Sequence, residues 1–160
     1  MKQILSNDII NQYMPTLVKC PLFNTLGEPE LRSYLNNAKV IIHSYKKNDF
    51  IALAGDPMEG IGVILEGSAL LTRENVMGQR VIMANLEQSD IFGEALLFSK
   101  QPLWPATIKA TKATKIMFIP LETFIKTLPD CHQCQTKILS NLLEDCLLYT
   151  SDAADEEDSV

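Results

Sequence analysis

The sequence predicts a mainly β fold with flanking helices, a sandwich or barrel of jelly-roll form (a double-stranded β-helix). Three observations carry this. Between residues 38 and 120, short β-branched and apolar runs recur at regular intervals. Turn residues, many of them glycine, separate the runs. Helical periodicity is confined to the two ends of the chain.

Residues Asn7 to Leu17 set Ile9, Ile10, Tyr13 and Leu17 on one side at helical spacing, and Pro15 is expected to kink or stop that helix. Cys20-Pro-Leu-Phe23 reads as an extended apolar turn, with Cys20 a small buried hydrophobe. The stretch Gly27 to Leu35 carries Pro29 early and Glu28 and Glu30 in its first turn, as a helix start should. Leu31, Tyr34 and Leu35 give it one apolar face, suited to lying across the end of a sheet.

Strands are predicted at Val40–Tyr45, Phe50–Ala54, Ile61–Leu65, Ala69–Thr72, Val81–Leu86, Ala106–Ala110 and Lys115–Ile119. Lys46-Lys-Asn-Asp, Gly55-Asp-Pro, Glu66-Gly67 and Asn75-Val-Met-Gly78 supply turns between them. After Pro120 helical spacing returns in Leu121, Phe124, Ile125 and Leu128. Pro129-Asp130 then breaks the chain, and Asp130 with Gln133 resembles a capping box opening a second helix. Ile138, Leu139, Leu142 and Leu143 form its apolar face, which needs cover from its own domain or from a second copy.

A chain of 160 residues suits one domain that buries its own core. The net charge of −6 is unevenly placed, because Asp152, Asp155, Glu156, Glu157 and Asp158 crowd the end and leave a nearly neutral body. Charge therefore argues neither for nor against nucleic acid. No basic segment followed by an apolar run and a cleavage site opens the chain, and no apolar stretch is long enough to span a bilayer. The expectation is a soluble, cytoplasmic protein without a membrane partner, its four cysteines kept as thiols.

The stretch Ile91 to Thr107 is the candidate site. Phe92 precedes Gly93, which permits a backbone geometry that a side chain would forbid. A helical turn from Glu94 through Ala95 to Phe98 follows, whose opening N–H groups can receive a polar ligand group. Then come a polar loop and Trp104-Pro105-Ala106-Thr107. Phe-Gly-Glu, an apolar turn, a loop and x-x-Ala-Thr resemble the phosphate-binding cassette of cyclic-nucleotide-binding domains, most closely that of the Crp/Fnr family of bacterial transcription regulators. The resemblance covers most of residues 16 to 144, and turn glycines at 55, 60, 67 and 78 match its order. Ser89 departs from the family's usual Gly-Asp before the cassette.

The resemblance implies that Gly93 and Glu94 hold a ribose-like group and that Ala106 and Thr107 close the cassette. The family's Arg, which pairs with the cyclic phosphate, is replaced by Trp104, and Pro105 lacks an N–H to donate. An anion buried without its charge partner faces a penalty of several kcal/mol, so cyclic AMP is not expected as the ligand. Trp104 has three readings: stacking on a flat effector, filling the nucleotide's space, or belonging to the core. Lys100 and Lys109 are candidate anion partners.

The expected function is a small-molecule effector-sensing and dimerisation domain of a Crp/Fnr-type regulator, with no cofactor. Residues 1–130 form the effector domain with its N-terminal helices, and 131–145 begin a dimerisation helix that would join two copies. DNA would be contacted only by a helix-turn-helix domain absent from this chain. Residues 146–160 are read as a non-native tail, because Cys146 to Glu156 resembles the translation of a sequencing adapter.

Two rival functions stand beside this one. A functional cyclic-nucleotide-binding module would accept the nucleotide despite Trp104. A cupin-like metal-dependent enzyme would need several histidines inside the barrel, whereas the chain has only His43 and His132. Cys131-His-Gln-Cys134 has redox or metal spacing but no second pair to close a tetrahedral site, so no metal ligand is assigned and the enzyme class is not favoured.

Overall fold

Seven of the strands found in the chain are the seven that alternation and turn chemistry predict, each within two residues of its expected limits. The computed structural model describes residues 2–4, 6–94, 100–125 and 136–144. Its elements are β1 (Lys2–Ile4), α1 (Asn7–Leu17), α2 (Glu28–Asn37), β2 (Ile41–Tyr45), β3 (Phe50–Ala52), β4 (Gly60–Glu66), β5 (Ala69–Glu74), β6 (Arg80–Leu86), β7 (Ile91–Phe92), β8 (Thr107–Ala110), β9 (Thr114–Pro120) and α3 (Glu122–Ile125). Residues 136–144 are also helical.

The strands form two antiparallel sheets, ordered β1-β2-β9-β4-β7 and β3-β8-β5-β6. Apart from the β5–β6 hairpin, neighbours in each sheet come from distant parts of the sequence, as a jelly roll requires. Alternation assigns the five-stranded sheet two apolar faces. Ile61, Val63 and Leu65 of β4 join Ile42, Met117 and Ile119 against the helices. Ile64, Ile116 and Phe118 point the other way, into the roll, with Ala69, Leu86, Ile108 and Phe92. A sheet covered on both sides explains why β4 is apolar almost without interruption.

α1 starts at Ser6, whose hydroxyl accepts from the Ile9 N–H at 3.4 Å. Of the two outcomes expected at Pro15, a stop does not occur, and the helix continues to Leu17. A proline inside a helix costs about 3 kcal/mol. Ile10, Tyr13, Met14 and Leu17 are all buried, each contributing about 1.5–3 kcal/mol, and their burial outweighs that cost. Successive reverse turns carry the chain from Leu17 to Leu26, with Cys20 fully buried as expected. α2 begins at Gly27 with Pro29 in its first turn and buries Leu31, Tyr34 and Leu35.

β1 and β7 were not predicted. They span three and two residues, too few for a period to register, and exist through pairing with β2 and β4. The C-terminal helical segment (136–144) finds cover on its own domain. Ile138 and Leu142 enter the core beneath the helices, and the Asn141 Nδ2 donates to Leu22 O at 3.0 Å and to Thr25 Oγ1 at 2.8 Å. Lys137 pairs with Glu30 at 2.9 Å. Leu143 remains half exposed. The expected capping box at Asp130 and Gln133, the pair Cys131 and Cys134, and His132 lie outside the described residues, as does the tail.

Candidate ligand site

The turn that leads into the site is held by a network around Ser89. Ile64 and the 89–90 pair exchange backbone bonds of 2.9 and 3.0 Å, and Asp90 Oδ2 accepts from Glu87 N at 2.7 Å. Ser89 adopts φ +75°, a left-handed conformation that a glycine would take without strain. Its hydroxyl donates to Thr16 O at 2.9 Å, a bond glycine could not make. The turn is thus preserved, with one hydrogen bond set against backbone strain.

β7 then pairs with β4, bringing Phe92 opposite Gly62. A Cβ at Gly62 would occupy the space of the Phe92 ring, so the buried ring depends on that glycine. Gly93 follows at φ +90°. Glu94 is half-buried. Ala95 and the helical turn expected to Phe98 lie outside the described residues.

On the returning side, the backbone fixes where Trp104 goes. Its N–H donates to Asp56 O and its carbonyl accepts from Gly55 N, both at 2.8 Å, while Met58 N donates to Pro102 O at 2.9 Å. This short ladder turns the indole inward, where it is only 6% exposed. The ring packs on Phe92 with centroids 5.7 Å apart. Trp104 belongs to the roll's interior, and its indole lies 3.2 Å from where a Cβ on Gly93 would stand. Pro105 is exposed, Ala106 is buried, and the Thr107 hydroxyl accepts from Ala54 N at 3.2 Å.

Two cavities adjoin these residues. One, of about 270 Å³, is lined by Trp104 and by His43, Tyr45, Phe118, Asp56 and Glu59. Rings run in succession towards it: Phe92 meets Phe118 edge-on at 6.0 Å, Phe118 meets His43 at 5.6 Å, and His43 meets Tyr45 at 6.2 Å. Burial first, then the carboxylates of Glu59 and Asp49, push the Tyr45 phenol up to about 12. The other cavity, of about 570 Å³, is an open groove where Pro105 and Thr107 face Thr72, Arg73, Glu74 and Arg80. Neither cavity is lined by Phe92, Gly93 or Glu94.

Lys100 is exposed, and Lys109 lies with its ammonium 5.6 Å from the Phe50 ring. Among the described residues, no group of three or more His, Cys, Asp and Glu side chains could hold a metal ion, and no helix is long and apolar enough to cross a membrane. Sequence reasoning weighed His43 only as a metal ligand and did not single out Tyr45, Asp56 or Glu59. Alternation along Ile41–Tyr45 would have put His43 and Tyr45 on one face; nothing local links them to Glu59 or Trp104.

The profile of the cyclic nucleotide-binding domain matches residues 42–130, more than half of the chain. The cAMP-activated global transcriptional regulator CRP of Pasteurella multocida (strain Pm70) is 31% identical over 97 residues, which cover 61% of this chain and 46% of that protein. The chain thus spans about half the length of the curated relative it matches. Among solved structures, the sensor domain of the transcriptional regulator DNR from Pseudomonas aeruginosa superposes with a TM-score of 0.73 at 19% identity, covering 93% of this chain and 95% of that one. The Thermus thermophilus Catabolite Activator Protein gives a TM-score of 0.75 at 22% identity, covering 86% and 62%. These two show the fold. The relative matched in sequence is itself a transcription regulator. The chain belongs to the cyclic nucleotide-binding domain family, in the form that Crp/Fnr-type regulators carry at their N-terminal end.

Proposed function

We propose that this chain senses a small-molecule effector other than cyclic AMP on behalf of a Crp/Fnr-type transcription regulator. The observation that supports this is the buried indole of Trp104, packed on Phe92 and Gly93 in the position where the family's Arg receives the cyclic phosphate. Glu94, Ala95, Ala106 and Thr107 complete the proposed cassette, with Pro105 unable to donate an N–H. A phosphate entering there would lose its water without gaining a cation, at a cost of several kcal/mol.

In the whole regulator the effector acts by population shift. Its binding favours one arrangement of the C-terminal helix, and in a cytoplasmic homodimer this sets the spacing of two recognition helices on DNA. The domain limits proposed are 1–130 for effector binding and 131–145 for the start of the dimerisation helix, followed by a non-native tail at 146–160. DNA contact belongs to a part of the regulator outside this chain.

A second reading has an observation of its own. Arg73 and Arg80 stand in the groove beside Pro105 and Thr107, and a cyclic nucleotide lying there would find guanidinium groups that the cassette lacks. Calorimetric titration with cyclic AMP and cyclic GMP decides between the two. The first reading expects no saturable heat. Saturable heat that disappears in Arg73→Gln or Arg80→Gln overturns it in favour of the second.

A further inference from the structure

We infer that the cavity bounded by Tyr45, Phe118 and Trp104, with Asp56 and Glu59 among its walls, binds a small organic cation such as an alkylated ammonium group. This deepens the effector reading and rests on it: with the indole closing the phosphate's place, the half-open cavity that Trp104 still lines is where an effector makes contact with the cassette.

The lining is suited to a cation in three ways. Tyr45, Phe118 and Trp104 present aromatic surface to about 270 Å³ of space, and the π faces of such rings attract positive charge. Two carboxylates, Asp56 and Glu59, share the lining with no Lys or Arg, so the field favours a cation and opposes a phosphate. Asp49 adds a third negative charge near the Tyr45 phenol, which stays protonated and neutral. At the rim, Phe50 already has the Lys109 ammonium 5.6 Å from its centroid. That ring is half open to solvent.

The volume limits the ligand. Pockets for drug-sized ligands begin at about 300 Å³, so this cavity suits a few heavy atoms, as in a trimethylammonium head, and not a nucleotide. Burying such a head costs less than burying a primary ammonium, because its charge is spread over methyl groups and is weakly hydrated.

Trp104 is the single tryptophan of the chain, so its fluorescence reports on the cavity wall directly. Choline is titrated into the protein at constant ionic strength, alongside its neutral isostere 3,3-dimethylbutan-1-ol. The expected result is a saturable change with choline that the alcohol reproduces at least about fivefold more weakly. Glu59→Gln, a near-isosteric change at an exposed position, should weaken choline by about fivefold. Equal binding of choline and the alcohol overturns the inference, as does a choline response that never saturates or that Glu59→Gln leaves unchanged. Cyclic AMP is titrated in parallel. A saturable response to it overturns the reading of the cassette, whereas the choline and alcohol curves alone decide the cation.

Discussion

A Cβ placed on Gly93 would stand 3.2 Å from Cζ3 of the Trp104 indole and 2.9 Å from Cε of Met58. The cassette's turn and the residue that closes it are therefore a fitted pair. Gly93→Ala should cost about 1–3 kcal/mol for its φ of +90° and about 1–3 kcal/mol for overpacking. Trp104→Ala should cost about 3–5 kcal/mol. In the double variant the overpacking against the indole is relieved, so the loss in unfolding free energy, measured by urea denaturation, should fall short of the sum by at least about 0.5 kcal/mol. Strict additivity would mean that the two residues do not touch.

Alkaline pH should unfold the protein through Tyr13 and Tyr45. The Tyr13 hydroxyl donates to Glu66 Oε1 at 2.8 Å. Burial first, then that bond and the carboxylate's charge, raise Tyr13 to about 12, and Tyr45 is raised equally. A tyrosine in the unfolded chain titrates near 10. The folded state thus holds both protons more tightly, and the resulting stability is complete below about pH 10 and lost between about pH 10 and 12. Urea midpoints measured from about pH 8 to about pH 11.5 should fall steeply over the last unit and a half. Tyr13→Phe should remove part of that slope, and a midpoint that stays level would contradict both assignments.

The C-terminal segment should depend on one amide. Asn141 is buried and donates to Leu22 O and Thr25 Oγ1. Asn141→Ala leaves the Leu22 carbonyl without that donor, at a cost of about 1–3 kcal/mol. Hydrogen exchange should quicken across residues 136–144 while β4 and β9 keep their protection. Unchanged exchange in that segment would show that Ile138 and Leu142 alone hold it.

The β-roll was legible in the sequence because its signals are local. Strand period, turn glycines and helix starts each reside within a few residues, and they sufficed for α1, α2 and all strands longer than three residues. The cassette reading rests on equally short contiguous phrases, Phe92-Gly93-Glu94 and Ala106-Thr107. The tertiary structure alone decided features whose energy comes from a distant partner. β1 and β7 exist only by pairing with β2 and β4. Pro15 is tolerated because the core repays one missing hydrogen bond. Trp104 points inward because its backbone is paired to Gly55 and Asp56. Tyr45, Glu59 and Phe118 share a cavity because β2, the chain before β4 and β9 meet there, and no periodicity within one strand carries information about side chains on another.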